Sequence, residues 1–282
     1  MLDRFHVLVR GLPFAEGVRY SGGSVWFSDM YDRTVHQIDA RSGEVLRSIR
    51  TPDRPSGLVL LGDGVVLVTQ QVSRSIARID HNGRVSTFAD LSAIAEWHVN
   101  DMTEAPGGGV YVGNYGGASA PPAPPHPAAL GRVSAKGTAT VAAEGLNFAN
   151  GMALVDDDTT LLVAETRSTP PRITSFAIGQ NGALSRREPF AEFSGTRMPD
   201  GIAALPIGEV LVAMPFASEI VLLDRNGSIA RTWETGSLGM PFAVAVDPES
   251  RTGFAAVSGS WEEEACLASR DSAIVAFPLD SA

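Results

Sequence analysis

The sequence predicts an all-β fold, a six-bladed β-propeller with a central metal site, on three observations. Helical periodicity is nearly absent from the 282 residues. Short runs of Val, Ile, Leu, Phe and Trp recur between clusters of Gly, Pro, Asp and Asn, the pattern of strands and turns. The residue pairs that open successive units stand 40 to 50 residues apart and occur six times. That is the period and number expected of propeller blades built of about four strands each.

The strand signals run in order along the chain. They are Val25-Trp26-Phe27, Val65-Val66-Leu67-Val68, Val110-Tyr111-Val112, Leu161-Leu162-Val163, Val210-Leu211-Val212 and Gly253-Phe254-Ala255. Each follows a turn such as Gly62-Asp63-Gly64 or Pro106-Gly107-Gly108-Gly109. A second strand follows in several units, as in Val35–Asp39, Ile76–Asp80 and Ile220–Asp224, and ends at Ser42-Gly43, Asn82-Gly83 or Asn226-Gly227. Asn-Gly is a strong hairpin signal because both residues tolerate positive φ. The alternating segments Phe5–Val9 and Ala273–Phe277 predict that the N-terminal strand closes the last blade, which removes open sheet edges. Residues 1–282 then form one propeller domain. The proline-rich stretch from Pro121 to Pro127 reads as a stiff loop inside the third unit. An open sandwich or a pair of barrels would not require the sixfold repeat.

Composition narrows the function. Hydrophobic residues make up 44% of the chain, with 29 Gly and 18 Pro, which suits a turn-rich β fold with a sizeable core. No apolar run approaches the roughly 18 residues that span a membrane. The polar start Met1-Leu2-Asp3-Arg4 resembles no signal peptide, so the expected location is cytoplasmic. The net charge of −10 disfavours nucleic acid. Cys266 is the only cysteine, beside Glu262, Glu263 and Glu264, which excludes an intramolecular disulfide and a thiolate cluster. Lys136 is the only lysine and lies in a turn-like Ser134-Ala135-Lys136-Gly137. The expected partner is a small-molecule substrate, with no nucleic acid and no membrane, for a monomer or weak homo-oligomer.

The opening pairs are Glu16-Gly17, Ser56-Gly57, Asn100-Asp101, Asn150-Gly151, Asp200-Gly201 and Phe242-Ala243. In a propeller, the first strand of each blade lines the central channel, so equivalent positions converge on one axis. Four of the six carry strong oxygen donors: Glu16, Asn100, Asn150 and Asp200. Such a set, with no Cys or His, suits a hard cation. Taken singly, Asn or Asp before Gly also suits a turn. Their common phase favours the axial reading.

The segments Ala15-Glu16-Gly17, Val99-Asn100-Asp101-Met102, Asn150-Gly151-Met152-Ala153 and Met198-Pro199-Asp200-Gly201-Ile202 resemble motifs of the gluconolactonase, regucalcin (senescence marker protein) and luciferin-regenerating-enzyme family. That family includes bacterial lactonases and relatives of squid diisopropylfluorophosphatase. Val110–Gly116 is similar to the bacterial branch, and the motifs fall in order over nearly the full chain. The resemblance implies a divalent cation, usually calcium (Ca2+), with zinc (Zn2+), manganese (Mn2+) or magnesium (Mg2+) as alternatives. Its ligands would be Glu16, Asn100, Asn150 and Asp200, and Asp200 would also serve as base or nucleophile. In some members the residue matching Asn100 mainly contacts substrate. One departure stands out: sugar lactonases commonly carry Arg two residues before that Asn, whereas this chain has His98. Arg is a bidentate clamp and His is not its equivalent, which points away from a simple aldonolactone.

The expected activity is metal-dependent opening of a lactone by water, a carboxylic ester hydrolysis. Asp200 is the first choice of base. His98 is the second, or else a structural histidine. It shares a strand face with Asn100 because strand side chains alternate. Candidate pocket residues at strand ends are Trp97, Asn114, Tyr115, Glu165 and Phe216, together with Asp29, Gln70 and Met214. Trp261 and Glu262–Glu264 read as a solvated loop. The same metal site also fits phosphotriester hydrolysis, a lyase or cyclisation step, or a non-catalytic calcium-binding propeller. Neither a Gly-x-Ser-x-Gly elbow nor a phosphate-cradling Gly loop is present.

Overall fold

The computed structural model describes residues 5–62, 64–117 and 124–280. Asp63 of the first-named turn and residues 121–123 of the proline stretch lie outside the described residues, and Pro127 begins a strand. Among the described residues, six four-stranded antiparallel sheets make a six-bladed β-propeller.

The chain enters through β1 (His6–Leu12). The first blade is β2 (Ala15–Ser21), β3 (Ser24–Asp29), β4 (Thr34–Asp39) and β5 (Val45–Arg50). The second is β6 (Pro55–Leu60), β7 (Val66–Gln70), β8 (Ser75–Ile79) and β9 (Val85–Asp90). The third is β10 (Val99–Glu104), β11 (Val110–Asn114), β12 (Pro127–Val133) and β13 (Ala139–Asn147). The fourth is β14 (Ala149–Val155), β15 (Thr160–Glu165), β16 (Arg172–Ile178) and β17 (Leu184–Glu192). The fifth is β18 (Ile202–Ala204), β19 (Val210–Met214), β20 (Glu219–Leu223) and β21 (Ile229–Glu234). The sixth is β22 (Met240–Asp247), β23 (Thr252–Ser258) and β24 (Ser272–Pro278), with β1 hydrogen-bonded antiparallel to β24 as its outer strand.

The six strongest apolar runs are the second strands of the blades, and packing explains why. Each sheet is covered on both faces by its neighbours. In β3, Val25 and Phe27 enter the core shared with the sixth blade, whereas Trp26 enters the core shared with the second. In β19, Val210 and Val212 face the fourth blade, while Leu211 and Ala213 face the sixth. Alternation therefore sends successive side chains into different cores, and a polar face disappears. Outer strands such as β5 and β21 are mostly exposed.

The inner strands form a closed ring, in which β2 touches both β6 and β22. The acidic run expected as a loop is instead a short helix, α1 (Glu263–Ser269), between β23 and β24. Glu263 and Glu264 occupy its first turn, where the helix dipole favours carboxylates. Its buried face carries Cys266, which packs with Phe14, Met30 and Phe242. Burial raises the Cys266 thiol pKa, so it behaves as a core residue. Among the described residues, no helix is long and apolar enough to cross a membrane.

Candidate functional site

Five of the six opening pairs lie within inner strands, and Asp200-Gly201 lies directly before β18. They are not turns. The regular ladder shifts at Glu16/Arg19, Pro55/Leu58, Val99/Met102, Ala149/Met152 and Pro241/Ala243, so a bulge marks the same phase in five blades. Neighbouring strands converge there. A Cβ on Gly57 would fall 2.6 Å from Asp101 Cα, on Gly151 2.5 Å from Ile202 N, and on Gly201 2.7 Å from Ala243 Cα. Glycine follows the axial residue because the next blade occupies its side-chain space.

Glu16, Asn100, Asn150 and Asp200 are all buried at the floor of one cavity. Asn100 Nδ2 donates to Asn150 Oδ1 at 2.7 Å, and Ser56 Oγ donates to Asn100 Oδ1 at 3.1 Å. Asn150 Nδ2 donates to Thr166 Oγ1 at 3.1 Å, and that hydroxyl donates to the Pro199 carbonyl at 2.7 Å. Glu16 Oε2 accepts from the Gly17 amide at 2.8 Å. Asp200 Oδ1 is buried with no hydrogen-bond partner.

Burial, and then the Asp101 charge, push the Glu16 carboxyl up to about 7. Burial, and then the charges of Glu16 and Asp101, raise Asp200 well above the usual carboxylate range. Two buried carboxylates facing a shared space resist ionising together. Among the described residues, no group of three or more His, Cys, Asp or Glu side chains is placed to hold a metal ion. The axial set has only two carboxylates, with amide oxygens beside them. This chemistry suits a hard cation, and Asp200 Oδ1 is the atom that lacks a partner.

The cavity measures about 440 Å³, within the range of small-molecule sites. Trp97, His98, Tyr115 and Phe216 line it. His98 stacks on Trp97 at 4.7 Å, and burial followed by the Arg54 charge lowers its pKa, which favours the neutral imidazole.

Asn114 and Glu165 are placed elsewhere. Asn114 Oδ1 accepts from the Gly116 amide at 2.9 Å, and its Nδ2 donates to the Ala129 carbonyl at 2.6 Å. Glu165 is fully buried between Arg172 at 3.0 Å and Arg187 at 3.1 Å and accepts from the Asn147 amide at 2.9 Å. Asp29 accepts from the Phe14 amide, Gln70 from the Asp53 amide, and Met214 packs in a core. All five are the last residues of second strands. The cavity-lining residues come one to three positions later: Tyr31, Gln71, Tyr115, Thr166, Phe216 and Trp261. A shift of one position along a strand exchanges faces. Trp261, expected in a solvated loop, is therefore a wall of the cavity.

A second missed set has a readable phase. Phe14, Arg54, His98, Phe148 and Met198 each stand two residues before an axial position, and all line the cavity. Of these, only His98 is a candidate on sequence grounds. Two-residue alternation is the signal that finds the rest. Arg19 and Asp101, near the floor, were also missed; Arg19 Nη2 donates to Asp101 Oδ1 at 2.7 Å.

Residues 14–247 match the SMP-30/Gluconolactonase/LRE-like region. No curated protein matches the chain in sequence. Several solved structures share its fold. A gluconolactonase from Xanthomonas campestris aligns with a TM-score of 0.78 and 20% identity, over 98% of this chain and 89% of that one. A calcium-binding protein, regucalcin, from Agrobacterium tumefaciens aligns with a TM-score of 0.78 and 17% identity, over 96% and 92%. A luciferin-regenerating enzyme aligns with a TM-score of 0.80 and 15% identity, over 98% and 95%.

Proposed function

The chain belongs to the SMP-30/Gluconolactonase/LRE-like family, and from that premise we propose that it is a metal-dependent hydrolase that opens a lactone. The observation that carries this reading is the pair of buried carboxylates, Glu16 and Asp200, at the floor of an open cavity, with Asp200 Oδ1 unpartnered. Glu16, Asn100, Asn150 and Asp200 would hold one divalent cation, calcium first among the choices. When bound, the cation supplies polarisation of a carbonyl and a more acidic water.

The chain's own residues do the rest. Asn100 and Asn150 brace each other, which fixes the floor on which the ring carbonyl is oriented. With a cation compensating its charge, the Asp200 carboxylate would be ionised and take a proton from the attacking water. The water oxygen bonds to the acyl carbon, the ring C–O bond breaks, and the proton passes to the departing alkoxide, leaving a hydroxy acid. Burial lowers the His98 pKa, which favours the neutral imidazole, a second acceptor for the proton at the cavity wall. The cavity itself favours an enzyme over a calcium-binding scaffold, which has no use for an open pocket above the cation.

The test is a panel of lactones offered to calcium-loaded protein, with acid release followed by a pH indicator. Wild type should turn over at least one. Asp200→Asn, Glu16→Gln and chelator-treated protein should fall by at least about 100-fold. Full activity in any of these three overturns the reading.

A further inference from the structure

Resting on the lactonase reading, we propose that the substrate is an aryl-substituted or aryl-fused lactone, not a polyhydroxylated sugar lactone. The oxygen donors Glu16, Asn100, Asn150 and Asp200 stand at the floor of the cavity, and aromatic rings dominate the rest of its lining, beside Arg54, Gln71, Thr166 and Arg167. Trp97, Phe216 and Trp261 line the cavity yet stay 41%, 36% and 42% exposed. Large aromatic faces left open to water at the rim of a pocket mark a surface that a ligand covers. Phe216 and Trp261 meet edge to face at 5.2 Å, and Trp97 lies flat on His98. These form two aromatic surfaces spaced around one opening.

Lower in the cavity, Phe14 packs on Phe242 at 4.8 Å and Phe148 on Tyr115 at 4.3 Å. Phe148 has φ of 59°, a conformation that bulky residues rarely adopt. Glycine would relieve it, yet this position presents a phenyl ring to the cavity. Strain of this kind is maintained where the surroundings over-determine a side chain's place.

Several polar atoms on the walls are already engaged. Thr166 Oγ1 donates to Pro199, Gln71 Nε2 donates to Tyr115 Oη at 2.8 Å, and Arg54 Nη2 pairs with Glu263 at 2.7 Å. A sugar lactone entering here would exchange water for ring faces at several hydroxyls, and an unpaired buried hydroxyl is unfavourable. An aromatic body instead gains stacked and edge contacts with the rings around it, while the ester group reaches the oxygen-rich floor.

The experiment uses two six-membered lactones, dihydrocoumarin and D-glucono-1,5-lactone, with the calcium-loaded full chain. The lactam of dihydrocoumarin, 3,4-dihydroquinolin-2-one, serves as a binding probe read by quenching of tryptophan fluorescence. The expected result is a kcat/KM about 100-fold higher for dihydrocoumarin. The lactam should also bind, and Trp261→Ala should weaken it about tenfold. The Trp261 carbonyl that accepts from Tyr31 survives that change, so the loop keeps its anchor. Faster opening of the sugar lactone, or failure of the lactam to bind, overturns the proposed substrate class and leaves the lactonase reading standing. Lactam binding that Trp261→Ala weakens, with neither lactone opened, supports the aromatic ligand class and overturns the hydrolysis.

Discussion

Arg19 of the first blade reaches past the second blade to the third, where its Nη2 donates to Asp101 Oδ1 at 2.7 Å and to the Met102 carbonyl at 2.8 Å. Asp101 stands at the phase where the other blades carry Gly17, Gly57, Gly151, Gly201 and Ala243. Its carboxylate thus occupies the space beside Gly57, beneath the axial floor. Burial raises the Asp101 carboxyl, and Arg19 opposes that rise. One ion pair ties two blades together, and of its two charges Asp101 acts on Glu16 more strongly than Arg19 does.

Breaking this pair from one side should be costly. Arg19→Met leaves a buried carboxylate uncompensated and should destabilise by about 3 kcal/mol, read as a lower midpoint in urea. Adding Asp101→Asn should recover part of the loss, since partners in contact are non-additive. Equal, additive effects would show the two side chains to be independent.

The axial carboxylates should give opposite signs with and without a cation. In chelator, Asp200→Asn removes one of two buried carboxyls that repel each other when ionised, so the variant should melt above wild type. In calcium at about 100 times its Kd, wild type should gain about 2.7 kcal/mol and the variant almost none. The order of melting temperatures then reverses. Thermal melts in chelator and in calcium decide the matter.

The same charges set a pH dependence. The Glu16 pKa rises from 4.5 to about 7 on folding, and Asp200 moves in the same direction. Above 4.5 the unfolded chain has released protons that the folded one retains. The cation-free protein is therefore expected to lose stability as pH rises from 5 through 7. Saturating calcium should flatten that slope, because the ion compensates both carboxylates. Melts at pH 5, 6, 7 and 8 would show it, and a rise of stability with pH in chelator would contradict it.

Deleting residues 1–11 should abolish cooperative unfolding. The deletion strips β1 from β24 and removes Phe5, whose ring packs 5.2 Å from Phe277. The exposed edge of β24 then invites association with other chains. Calorimetry with light scattering tests this: a sharp transition with no aggregate would mean that the sixth sheet holds without its outer strand.

Much of the site was legible because a propeller converts sequence period into spatial convergence. Phase picks out six positions, oxygen-donor chemistry and the family resemblance single out Glu16, Asn100, Asn150 and Asp200 among them, and all four line one cavity. Even Phe14 and Phe148 obey a rule that His98 already displayed, standing two residues before an axial position. The second strands announced themselves because both faces are buried, so no polar residue interrupts Val210-Leu211-Val212.

Other features required the third dimension. Asn114 and Glu165 sit one residue before the cavity-lining Tyr115 and Thr166, and the strand's end decides which face a side chain takes. Sequence alone does not locate that end to one position. The partnership of Arg19 with Asp101 spans 82 residues and no shared motif. The helix α1 arises where Cys266 can be buried against Phe14 and Phe242, which are brought together only by ring closure. Period and residue chemistry determined the axis and its oxygen donors. The tertiary structure decided the walls, because which rings face one another depends on how six separate blades meet at a common mouth.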